Sequence, residues 1–127
     1  MQDMTDGKSN PNRSVGKVLR WVPGAVGWKW AEYPANAKGF SAEVLQRMVE
    51  ATCYCSVMMA GGLVLIADDE GRLRDLPVSV RVGVGQGRFL EFFGPVAVVR
   101  ARGNKYVGLV GADKEIIETR FDWQPIF

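Results

Sequence analysis

Cys53 and Cys55 are the two cysteines of this chain, and it contains no histidine. A Cys/His zinc site is therefore excluded, and two thiolates fall short of the four ligands that structural zinc takes. In a strand their spacing puts both thiols on one face, but an extended backbone does not offer the geometry of a bridge between them. Both are expected to face the core, where free cysteines usually lie. Without histidine, general acid–base chemistry would fall to carboxylates, lysine, tyrosine or cysteine. No serine or cysteine sits in a nucleophile motif. The residue types point to binding rather than catalysis, with no cofactor.

Four groups of residues have the chemistry of a binding site. Gly83-Val84-Gly85-Gln86-Gly87 offers backbone N–H groups free of side-chain crowding, which can surround an anion. A dinucleotide fingerprint would need glycine where Arg88 stands and a helix afterwards, yet FLEFFGP follows. A flexible loop or irregular edge is the plainer expectation, although Arg81 and Arg88 flank the glycines and suit an anionic, nucleotide-like ligand. Asp68, Asp69 and Glu70 have the chemistry for a hard cation, but adjacent residues diverge at a strand end and a solvated turn is expected. Arg100, Arg102 and Lys105 surround a hairpin tip, either as phosphate or carboxylate grips or as ordinary surface charge. Trp21, Trp28, Trp30 and Tyr33 cluster near the first hairpin. Trp28 and Trp30 share one face and are expected to pack on a helix, leaving whichever of Trp21 and Tyr33 is exposed as an interface residue.

The elements that must position these groups can be read from period and punctuation. GKVLRWV and VGWKWAEY form a hairpin across Pro23-Gly24. Ser41 is a good N-cap for a helix whose buried stripe is Val44, Leu45, Met48 and Val49, with Phe40 placed to staple onto Leu45. Thr52 to Val57 alternates as a strand exposed on one face, and Leu63 to Ala67 reads as a central strand. Val78 to Gly87 is ambiguous, because its glycines weaken any regular element, and is expected to be loop or edge. Pro95 to Ala101 and Lys105 to Val110 form a hairpin across Arg102-Gly103-Asn104. Asp113 to Arg120 predicts a short helix with Ile116, Ile117 and Phe121 facing inward, after which DWQPIF packs back on the sheet.

At 127 residues, 47% hydrophobic and 24% charged, the chain fits one α+β domain. That fold is a mixed, mainly antiparallel sheet of about five or six strands, with one main helix and one short C-terminal helix. Residues 1–14 read as a disordered tail without a secretory signal and residues 15–127 as the domain. No apolar run is long enough to span a bilayer, so a cytoplasmic location is expected. A formal net charge of +2 does not demand a nucleic-acid partner. The stretch from Arg72 to Lys105 is nevertheless locally basic.

LQRMVEA leading into a strand, then GLVLIADDEGRLRDLP, then FFGPVAVVRARGNKYVGL before a short terminal helix, resembles the phage and conjugative-element domain of unknown function 3846. The resemblance covers roughly residues 18–120 and rests on pattern. Family members often carry Asn shortly after the Leu-Pro, where this chain has Ser79. The resemblance implies a mobile-element setting, in which small accessory proteins bind and block a host factor. The expected function is a non-catalytic binding protein in the host cytoplasm, inhibiting a host defence component by occupying its surface or sequestering its ligand. A nucleic-acid-binding module using the basic face is the alternative. An unpaired edge beside the glycine-rich segment would also allow a homodimer.

Overall fold

The structure is a computed structural model and describes residues 14–126. The disordered tail expected over residues 1–14 lies outside the described residues except for Ser14, whose carbonyl accepts a hydrogen bond from the Ala35 N–H at 2.9 Å.

β1 (Val15–Trp21) and β2 (Lys29–Pro34) pair antiparallel across the Pro23-Gly24 turn. α1 (Ala42–Val49) starts where expected: the Ser41 hydroxyl accepts the Val44 N–H at 3.2 Å, satisfying one of the free donors of the first turn. Its buried residues are Val44, Leu45, Met48 and Val49, the stripe read from the sequence. At the other end, Arg20 of β1 donates through Nε to the Met48 carbonyl at 2.7 Å and through Nη2 to Glu50 Oε2 at 2.6 Å. A guanidinium there complements the negative end of the helix dipole.

β3 (Tyr54–Met58) and β4 (Leu63–Asp68) follow, joined through a short 3-10 turn. β5 (Val78–Gly85), β6 (Arg88–Phe93), β7 (Val96–Arg102) and β8 (Lys105–Val107) then lead to α2 (Asp113–Arg120) and β9 (Asp122–Pro125). These strands make two antiparallel sheets. The larger has the order β2-β1-β7-β4-β3, with β8 also pairing with β7; the smaller has the order β9-β5-β6. The α+β class, the single small domain and a main antiparallel sheet of six strands match the sequence reading, and the three-stranded sheet is additional to it.

The larger sheet is buried on both faces. Val18, Val64, Ile66, Ala97 and Val99 meet α1 on one side. Leu19, Leu65 and Val98 meet the smaller sheet and Ile117 of α2 on the other. Two-sided burial is the physical reason that Leu63 to Ala67 is continuously apolar.

Several local features differ from the sequence expectation. Val78 to Gly85 is the central strand of the smaller sheet, not a loop or an edge. Regular pairing of β2 with β1 starts only at Lys29. Trp28 therefore lies outside the strand period and turns into the core between the sheets, edge-to-face with Trp21 at 5.3 Å and Trp123 at 4.9 Å, while Trp30 stays exposed. Cys53 precedes β3, so the alternation that should bury it has not begun, and it is exposed; Cys55 is half-buried. In α2, Ile117 is fully buried but Ile116 is exposed, because the short helix touches the core along a narrow stripe.

Candidate docking site on the smaller sheet

The glycines of β5 are accounted for one by one. Gly83 pairs with Asp122 of β9, whose carboxylate approaches so closely that a Cβ would collide with it. The register shifts between Gly83 and Gly85, as at a bulge. Gln86 and Gly87 form the hairpin tip with φ of 57° and 70°, the two positive values that a two-residue type I′ turn requires. The glycine spacing thus serves a close approach, a bulge and a turn. A second irregularity falls at Ser79, which is fully buried and donates its hydroxyl to the Phe92 carbonyl at 3.1 Å.

Alternation then sorts the side chains of β5 and β6. Val80, Val82 and Phe92 point into the core. Arg81 and Gly83 lie on the outer face opposite Glu91 and Phe89. Phe89 lies opposite Gly83, and the Arg81 guanidinium lies over its ring at 5.7 Å. Arg81 Nε also donates to Glu91 Oε2 at 3.2 Å. In the same way Arg72 lies over the Phe93 ring at 5.9 Å. Both distances are within cation–π range, and each ring holds a guanidinium in place without consuming its hydrogen-bonding fork. Together with Leu90, these residues line a shallow cleft of about 560 Å³. Phe89 is 42% and Leu90 44% exposed, and Arg88 stands exposed at the start of the strand.

The backbone of β6 adds a second feature. The Gly94 N–H donates to the Pro77 carbonyl and the Phe92 carbonyl accepts from Ser79, so the even-numbered residues turn their polar groups toward β5. Alternation sends the N–H and C=O groups of Phe89 and Glu91 the other way. No strand among the described residues pairs with that side. At Phe93 the edge closes, because Gly71 packs against the Phe93 carbonyl closely enough to leave no room for a Cβ. The outer strands β2 and β9 each carry charge and end in proline, at Pro34 and Pro125, which blunts an edge, whereas the outer strand β3 has neither. β6 carries charge at Arg88 and Glu91 but no proline.

No family model, curated protein or solved structure matches the chain.

The remaining residues singled out in the sequence are dispersed. Trp21 is 2% exposed and belongs to the core, so it presents no docking surface. Tyr33 is half-buried against the α1 cluster. Arg100 is engaged internally: it donates to the Gly61 carbonyl at 2.9 Å and to Asp113 Oδ1 at 2.6 Å. Lys105 donates to the Ala37 carbonyl at 3.0 Å. Arg102 is exposed and lines a separate cleft of about 330 Å³ with Lys17 and the backbone around Gly108. Of the candidate cations, Arg81 and Arg88 share the smaller sheet, and the others do not join them.

The acidic turn is also partly structural. Asp68 is buried, accepting the Glu70 N–H at 2.8 Å and pairing with Arg74, where a solvated turn was expected. Among the described residues, no group of three or more Cys, Asp or Glu side chains is placed to hold a metal ion. The charge of Glu70 pushes the Cys53 thiol pKa up, and burial, reinforced by Asp69, pushes that of Cys55 up. A cleft of about 800 Å³ beside the end of α1 carries Glu43, Glu50 and Glu70 against Arg47 and Arg74, so its charges largely offset. No helix among the described residues is long and apolar enough to cross a membrane.

Phe89, Leu90, Phe93 and Arg72 were missed as candidates in the sequence. Strand period alone does not reveal them: carried through a two-residue turn, strict alternation sets Phe89 opposite Val84 on the apolar face, and the register shift between Gly83 and Gly85 is what turns Phe89 outward.

Proposed function

We propose that this protein is a binding protein that docks on a protein partner through the outer face and free edge of its smaller sheet. The observation that carries the reading is the pair of guanidinium groups held over Phe89 and Phe93 beside a strand edge that no described strand pairs with. Arginine and aromatic side chains are the groups that dominate interface energetics, and an edge strand adds backbone groups that a partner can pair with. The resemblance of the chain to the phage and conjugative-element family supports a host protein, such as a defence component, as the partner that is bound and blocked.

The test is affinity capture from host cells, followed by titration of the purified captured protein against wild type and a Phe89→Ala/Leu90→Ser double variant. Loss of at least about tenfold in affinity is expected for the double variant, as for the removal of central interface anchors. Equal binding by both would refute the proposed face. Binding that instead selects DNA or RNA, with affinity falling steeply as salt rises, would favour a nucleic-acid module.

A further inference from the structure

The proposed docking face, on which this inference rests, specifies more than a general protein contact. Its open edge exposes the backbone N–H and C=O of Phe89 and Glu91, two donors and two acceptors at the alternating spacing that an antiparallel strand matches. The edge is bounded by the Gln86-Gly87 turn at one end and by the packing of Gly71 on the Phe93 carbonyl at the other. An extended segment adds to a sheet edge of this kind by main-chain hydrogen bonds.

Charge sets the composition of that segment. Stacking draws the Arg81 guanidinium from β5 to a position over β6 at Phe89, and the Arg72 guanidinium lies over Phe93 on the same strand. Arg88 stands at the exposed start of β6. Of these three cations, Arg72 and Arg81 line the cleft against one lining carboxylate, Glu91, which contacts Arg81 through Nε and leaves its terminal nitrogens available; Asp122 lies farther in, against Gly83 of the central strand. The stacked guanidiniums lie above the strand that an added neighbour would pair with, so outward-facing carboxylates of that neighbour fall within their reach. Guanidinium–carboxylate pairs of this kind are bidentate and orient the strand.

We infer that β6 accepts an extended acidic peptide segment as a fourth strand of the smaller sheet. The segment pairs with the backbone of Phe89 and Glu91 and places its carboxylates on Arg72 and Arg81. Its inward-facing side chains cover Leu90, which lies beyond the core and is left exposed in the free protein.

The experiment uses the full chain and a synthetic peptide of alternating glutamate and valine, blocked at both ends. Comparison probes are the same peptide with lysine in place of glutamate, the acidic peptide N-methylated at alternate amides, and a short single-stranded oligonucleotide. Backbone NMR should show slowed hydrogen exchange at the Phe89 and Glu91 amides with the acidic peptide. Its affinity should fall at least about tenfold on N-methylation, in the lysine peptide, and in Arg81→Gln, as expected for charge-assisted strand pairing. Arg47→Gln, on the far side of the larger sheet, should bind as wild type. Absence of binding by the acidic peptide, binding without protection of Phe89 and Glu91, equal binding of the lysine or N-methylated peptide, or preference for the oligonucleotide would each overturn the inference. If the acidic peptide fails while the captured partner still depends on Phe89 and Leu90, strand addition falls and the docking face stands.

Discussion

Arg100 of β7 and Asp113 of α2 are joined by a 2.6 Å contact between Nη2 and Oδ1, which ties the larger sheet to the helix that closes the second core. The same carboxylate accepts the Val110 N–H through Oδ2 at 2.8 Å, so one buried acid fixes both a strand and the loop leading into α2. An arginine with the sequence signature of a surface grip is thereby assigned to the architecture. Removing the acid leaves a partly buried guanidinium and a backbone donor without their acceptor. Asp113→Ala should lower stability by about 2 kcal/mol, the size expected for hydrogen bonds to a charged group. A shift of the urea midpoint with unchanged slope would establish this; a loss below about 0.5 kcal/mol would show the contact to be incidental.

Gly39 offers a cleaner test of close packing. Its φ is 82°, and a Cβ there would strike the Tyr106 carbonyl oxygen, which already accepts the Phe40 N–H at 2.8 Å. Gly24 has a similar φ of 86° but nothing within 4 Å of the corresponding position. Gly24→Ala should therefore cost about 1 kcal/mol from backbone strain alone, and Gly39→Ala distinctly more, about 2 kcal/mol or above. Thermal unfolding of the two variants side by side separates the contributions. Equal losses would mean that the collision is relieved without cost.

Cys53 is exposed and yet should react slowly. The thiolate is the nucleophile, and Glu70 beside it raises the thiol pKa by disfavouring a second negative charge. The pH profile of alkylation should have its midpoint above that of an ordinary cysteine. Glu70→Gln should move the midpoint down and speed reaction at neutral pH a few-fold. A midpoint below the ordinary value, or one indifferent to Glu70, would contradict this account.

Elements whose cause is local are legible in the local sequence. Ser41 announces α1 because a hydroxyl placed before a helical stripe caps it, and Val44, Leu45, Met48 and Val49 share a face because the helix repeats every 3.6 residues. The apolar run from Leu63 predicts an interior strand for an equally local reason, as does the turn at Gly103 for the hairpin of β7 and β8. Relationships between distant segments had no such local cause and were settled by the assembled fold. β5 is a central strand because β9, remote in sequence, arrives at one edge and pairs Trp123 with Val82, and Gly83 lets it come close. The docking face follows from the same event: pairing β5 between β9 and β6 turns Arg81 and Phe89 outward together, while Arg100, equally basic in the sequence, is drawn inward by Asp113. A residue's type states what it can bind, but burial and partner, which depend on the whole chain, determine whether that capacity is used internally or left for another molecule.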